Sequence, residues 1–354
     1  MADGNLPPKK RRKVDTVTFV SATNRLELLP DNVLLCVLGY LDAVSLKRAG
    51  AVCRRLCRFS NDPTLWKTVD LSLVAKSMNI RKLQRIIHHV LKPSTEQISV
   101  YASKSHFNLT NNTLKLLNAK CPQIASLSFT GCTLTSLAWT DLVQFTHLAY
   151  LGIERCDFNG TRFFDCVDFK QLPKLKGLSF SGGSLFQVGV AKLPGLVSLN
   201  LIECTNIWNT ALRDITDAKD LQYLSLPFSA LLDVYASTKL LKLKSLVIGG
   251  AKAKVVRNPT RDIQSIARVS PNLIFLDLSD CDYCISLSTL DEFVSLIIAL
   301  PCLKVLGLVG HDISKDMLDQ LLQAQPCLTV LTEQWKLLAY KIRNKIPICN
   351  AITM

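Results

Sequence analysis

The pattern Leu-x-x-Leu-x-Leu returns along this chain at near-regular intervals, and a chain that repeats itself folds by stacking like on like. Its second apolar position falls at Leu127, Leu151, Leu178, Leu199, Leu224, Leu246, Leu276, Leu306 and Leu331, with spacings of 24, 27, 21, 25, 22, 30, 30 and 25 residues. Val69 and Ile98 fit the same slot upstream, which makes about eleven units. Each unit joins an alternating strand, such as Leu127-Ser128-Phe129 or Leu276-Asp277-Leu278, to a returning apolar segment, such as Leu114 and Leu117 or Met317, Leu318, Leu321 and Leu322. Alternation puts the leucines on one strand face. A single unit cannot bury that face, so neighbouring units must stack with their strands parallel.

The thirteen cysteines fit this scheme better than a disulfide framework. Their number is odd, and the charged N-terminus lacks a secretory apolar region, which points to an intracellular protein with reduced thiols. Cys132, Cys156, Cys204 and Cys281 each lie three residues after the last core position of their strand. A small, weakly polar side chain there faces inward and serves the backbone of the turn. Cys121, Cys302 and Cys327 recur beside the Pro-x-Leu that precedes a strand. Cys281 and Cys284 have zinc-like spacing but lack a second ligand pair, so no metal is expected.

Residues 25–71 have another character. Leu29 and Pro30 open a stretch in which Val33, Leu34, Val37, Leu38 and Leu41 recur at helical intervals. Ser45 offers an N-cap for a second helix carrying Leu46, Ala49 and Val52, and Cys53, Leu56 and Phe59 continue the apolar set. Asn61-Asp62-Pro63 breaks the run before Leu65-Trp66. Three helices this short cannot enclose so many large side chains, so part of the stripe must face something else.

The spelling of three successive signatures resembles the F-box: Leu29 to Leu41, Ser45 to Leu56 and Asp62 to Lys67. Asn32 and Leu56 depart from the usual acidic residue and tryptophan. The F-box resemblance implies docking onto Skp1, and through it onto cullin 1 and a RING subunit, with contacts carried over to Leu29, Pro30, Val33, Leu34, Val37, Leu38, Leu41, Leu46, Val52 and Cys53. The alternative is a module that only packs against the next domain. The chain as a whole is similar to the F-box/leucine-rich-repeat family of substrate receptors. That likeness implies an α/β fold in which a small helical F-box precedes a right-handed leucine-rich-repeat solenoid, a horseshoe with parallel strands on its concave face. The expected organisation is a flexible basic arm at 1–24, the F-box at 25–71, repeats at 72–340, and a C-terminal tail or cap at 341–354.

Net charge is +14, and five of those charges form the run Lys9, Lys10, Arg11, Arg12 and Lys13. The run has the form of a nuclear import signal for an importin, and distribution between nucleus and cytoplasm is expected. A plain solvated arm, an added tag or a nucleic-acid arm are the other readings.

No phosphate-binding loop, zinc-protease helix or serine elbow is present, and the five histidines are scattered, so a non-enzyme without cofactor is expected. Function would then lie on the outward strand positions, where small residues dominate and Tyr150, Glu154, Asn200, Tyr223, Phe275 and Asp277 stand out as substrate contacts. That face is not basic, which argues against nucleic acid, and no apolar run is long enough for a membrane. The expected role is the substrate-recognition subunit of a Skp1-cullin-F-box E3 ubiquitin ligase. The alternative is a nuclear repeat scaffold outside any ligase.

Overall fold

Alternating leucines and small polar residues build an eleven-stranded sheet in this computed structural model, which describes residues 25–332 apart from 104–106, 135–139, 158–166, 168, 182, 185–194, 203, 206–217, 228–239, 250–265, 280–293, 296 and 312. The basic run at Lys9 to Lys13, the tail at 341–354 and the Cys281/Cys284 pair lie outside the described residues.

The strands are β1 (Thr68–Asp70), β2 (Gln97–Tyr101), β3 (Ser126–Thr130), β4 (Tyr150–Glu154), β5 (Gly177–Ser181), β6 (Ser198–Asn200), β7 (Tyr223–Pro227), β8 (Ser245–Gly249), β9 (Phe275–Asp277), β10 (Val305–Gly307) and β11 (Thr329–Leu331). They form one parallel sheet in chain order, each strand beside the one before it. This is the α/β solenoid that the period demands.

Register follows the leucines. Val69, Ile98, Leu127, Leu151, Leu178, Leu199, Leu224, Leu246, Leu276 and Leu306 are successive cross-strand partners, all 0–1% exposed. Each fully buried leucine contributes roughly 1.5–3 kcal/mol. The last unit departs from expectation: Val330, not Leu331, stands opposite Leu306, and Leu331 pairs with Gly307. A slip of one residue moves side chains to the other face. Among the described residues β11 is the last strand of the sheet, paired on one side only.

The returning segments are helical at both ends of the stack. Helices α4 (Ile80–His89) and α5 (Asn111–Lys120) bury Leu83, Ile87, Leu114 and Leu117, and α6 (Lys315–Ala324) buries Leu321. Asn79 and Ser314 cap α4 and α6 by accepting from the backbone N–H of Lys82 and Met317. Between strands, the cysteine slot works as expected: Cys132, Cys156 and Cys204 are buried, and the Cys156 and Cys204 thiols donate to the Phe129 and Phe180 carbonyls at 3.5 and 3.4 Å. The turn after β3 needs Gly131, because φ is +70° and a Cβ would sit 2.2 Å from the Ala102 carbonyl oxygen.

Ahead of the sheet stand α1 (Asp31–Leu38), α2 (Ala43–Gly50) and α3 (Arg54–Ser60), followed by a 3-10 turn at Pro63–Trp66. The cap of α2 is Asp42 rather than the expected Ser45, since Asp42 Oδ1 accepts from the Val44 and Ser45 N–H at 2.8 and 3.0 Å. A fixed carboxylate satisfies two orphan donors where a serine hydroxyl satisfies one. Gly50 lets α2 close on α3, because a Cβ there would meet Ser60 Oγ at 2.3 Å. Trp66 is buried and its Nε1 donates to the Ser60 carbonyl at 2.7 Å, tying α3 to the chain that enters β1. Leu34, Leu38, Leu46, Trp66, Val69 and Leu71 belong to one continuous core, so the helical module is joined to the first repeat through its interior.

Candidate docking site

The helical module holds its apolar side chains in two groups. Leu34, Leu38 and Leu46 are 1–3% exposed and form its interior. Val33, Val37, Leu41 and Val52 are 40, 42, 39 and 73% exposed. On α1 the two groups are neighbours, Val33 beside Leu34 and Val37 beside Leu38, because positions one residue apart lie about 100° round a helix and only one can face the core. The carried-over contact set is corrected accordingly: Leu34, Leu38 and Leu46 are interior residues, and the accessible members are Val33, Val37, Leu41 and Val52 with exposed Pro30 and Cys53 and half-buried Leu29.

Two residues join the face that sequence reasoning passed over. Tyr40 is 92% exposed at the turn after α1, and Leu28 is 74% exposed just before it. The helical spacing of Val33, Val37 and Tyr40 was the available signal. Solvent-exposed apolar residues gathered on one small module mark an interaction surface.

Arg55 fixes the edge of this face. Its Nη2 donates to the Leu29 carbonyl at 2.5 Å and to Asp31 Oδ1 at 2.7 Å, so α3 holds the segment that leads into α1. The Asp31 carboxylate also sits in the first turn of α1, where the helix dipole favours it. Asp42 and Asp62 are both held below the ordinary carboxylate range, chiefly by side-chain hydrogen bonds from Ser45 and Thr64.

The outward strand face is less open than its sequence implied. Tyr150, Glu154, Asn200 and Phe275 are half-buried, whereas Tyr223 and Asp277 are 7 and 3% exposed. The last two are therefore corrected from contact residues to internal ones. Asp277 Oδ1 accepts from the Ser279 N–H at 2.9 Å, and Gly307 leaves room for that carboxylate on the neighbouring strand, since a Cβ there would lie 2.4 Å from Oδ1. Asn200 bridges strands in the same way, donating to Ser179 Oγ at 3.1 Å. The Tyr150 ring lies against Gly177 of the next strand. Small residues here make space for the larger polar ones beside them.

Among the described residues no group of three or more His, Cys, Asp and Glu could hold a metal, and no helix is long and apolar enough to cross a membrane.

The family model described as F-box-like matches residues 26–72, the span of the helical module and β1. Residues 26–72 thus match an F-box-like domain, and the parallel strands that follow form an α/β solenoid. Among solved structures it is similar to a TLR13–ssRNA13 complex (17% identity, 76% of this chain and 36% of that chain, TM-score 0.46). It is also similar to an internalin, inlF, from Listeria monocytogenes (15% identity, 68% of this chain and 74% of that chain, TM-score 0.38). The chain spans only 36% of the length of the first.

Proposed function

We propose that this chain is the substrate-recognition subunit of a Skp1-cullin-F-box E3 ubiquitin ligase, and that it supplies no bond-making group of its own. The carrying observation is the exposed apolar face of the F-box-like domain, formed by Val33, Val37, Leu41, Val52 and Tyr40. F-box domains generally bind Skp1, and a small helical unit that leaves this much apolar surface in water is completed by a partner. Skp1 would bring cullin 1 and the RING subunit with it.

The repeats would then hold a target protein on the outward strand face, where Tyr150, Glu154, Asn200 and Phe275 are the accessible candidates. Ubiquitin transfer gains from proximity, since target lysines and the charged conjugating enzyme share one scaffold at high effective concentration. The same reading assigns 25–71 to the F-box, 72–340 to the repeats and 341–354 to a cap. It assigns Lys9 to Lys13 to importin-dependent entry into the nucleus. Within the family, the same reading likens Leu65 to Ser72 and Leu116 to Gln123 to F-box/LRR-repeat protein twelve.

Co-purification with Skp1 tests the proposal. The full chain is expected to hold Skp1 through size exclusion, and Leu29→Ala with Pro30→Ala to lose it. Failure of the wild-type chain to hold Skp1 would leave a repeat scaffold outside any ligase as the better reading.

A further inference from the structure

A groove of about 370 Å³ runs between α2 and the first repeat, distinct from the exposed face of the F-box-like domain. Its floor is apolar, with Val44, Val74 and Ile86 among its residues, and its walls carry Lys47 and Arg48 on α2 and Lys82 on α4. The volume lies within the range of specific ligand sites.

Charge around the groove is one-sided. The charged residues lining it are Lys47, Arg48 and Lys82, and the adjoining carboxylates of Asp42 and Asp70 accept from the backbone N–H groups of Val44, Ser45 and Ser72. Lys47 is half-buried, with its ammonium 5.1 Å over the Trp66 ring, and burial together with Lys92 pushes its pKa down. An arriving carboxylate would offset the repulsion from Lys92.

We propose that this groove docks an acidic peptide segment of a partner protein, in which one or two bulky apolar side chains enter the floor and flanking carboxylates meet Lys47, Arg48 and Lys82. Cations on opposite walls, with an apolar floor between them, match a segment charged on both sides of an apolar centre. A single-headed amphiphile would use one wall only. Because one wall belongs to the F-box-like domain and the other to the first repeat, the bound segment spans their junction and resists changes in the angle between them.

The test is fluorescence anisotropy of a labelled Glu-Asp-Leu-Phe-Glu-Asp peptide with the full-length chain, alone and with Skp1. Saturable binding is expected, weakened about tenfold or more by Lys82→Glu and by Arg48→Glu, and likewise by Ser in place of Leu-Phe in the peptide. Skp1 co-purification and the melting temperature should not change in either variant, which separates this site from the first. Equal binding by Lys82→Glu or by the serine peptide would overturn the proposal. So would saturable binding of dodecanoate with the peptide inert, which would make the groove a small-amphiphile site. Displacement of the peptide by Skp1 would also overturn it, since the groove would then be part of the F-box interface.

Discussion

In the sheet, the core slot from Val69 to Leu306 is at most 1% exposed in every strand, whereas Val33, Val37, Leu41 and Val52 of the helical module are 39–73% exposed. The two regions draw on the same kinds of side chain. They differ in who covers them. Each repeat is covered by the next, so its apolar surface is consumed by stacking; the module shares one buried core with the first repeat through Leu34, Leu38, Leu46 and Trp66, and leaves other apolar side chains in solvent. On the proposed function, buried slots govern stability and the exposed ones govern assembly.

That contrast can be broken from either side. The largest effect is expected in the sheet: Leu246→Ala should cost about 2–5 kcal/mol, read as a lower denaturation midpoint and faster amide exchange in β7 to β9. A loss under about 1 kcal/mol would mean that the stack is loosely packed there. Next comes the module: Val37→Glu with Val52→Glu should weaken Skp1 binding about a hundredfold, roughly 2.8 kcal/mol by calorimetry, with little change in melting. A large drop in melting temperature instead would show that the two valines are structural.

Smaller effects sharpen the junction. Trp66→Phe keeps most of the buried ring but leaves the Ser60 carbonyl unpaired, so about 1–3 kcal/mol should be lost from thermal stability. Asp42→Ala removes the α2 cap and should cost about 1 kcal/mol. Because the folded state holds the Asp42 pKa below its unfolded value, this contribution is present above the unfolded value and is lost as pH falls through the folded one. The gap between wild type and Asp42→Ala should accordingly begin to narrow near about pH 4 and close only once the pH is below the lowered folded value, and a gap undiminished on that descent would point to a cause other than the ionised cap.

The core was legible because leucine spacing and strand period reinforce each other over eleven units, which leaves one register for Leu127 to Leu306. Where that reinforcement stops, the sequence is ambiguous. Leu331 has the right residue type, but the terminal strand sets Val330 in the slot instead. In the module a 3.6-residue period says that Val33, Leu34, Val37 and Leu38 share a broad stripe, yet not which edge of it turns inward. That depends on α3 and on Trp66, far along the chain. Likewise, Asp277 reads as an outward residue from its strand, and its burial reflects Ser279 and a glycine thirty residues on. Cys132, Cys156 and Cys204 could be placed inside because the slot itself repeats.

Hydrogen exchange on the full-length chain with and without Skp1 tests the division of labour most directly. New protection is expected in peptides spanning Leu28 to Leu41 and Ala51 to Cys53, with β3 to β10 unchanged. Absence of a complex, or protection confined to the repeat strands, would contradict it.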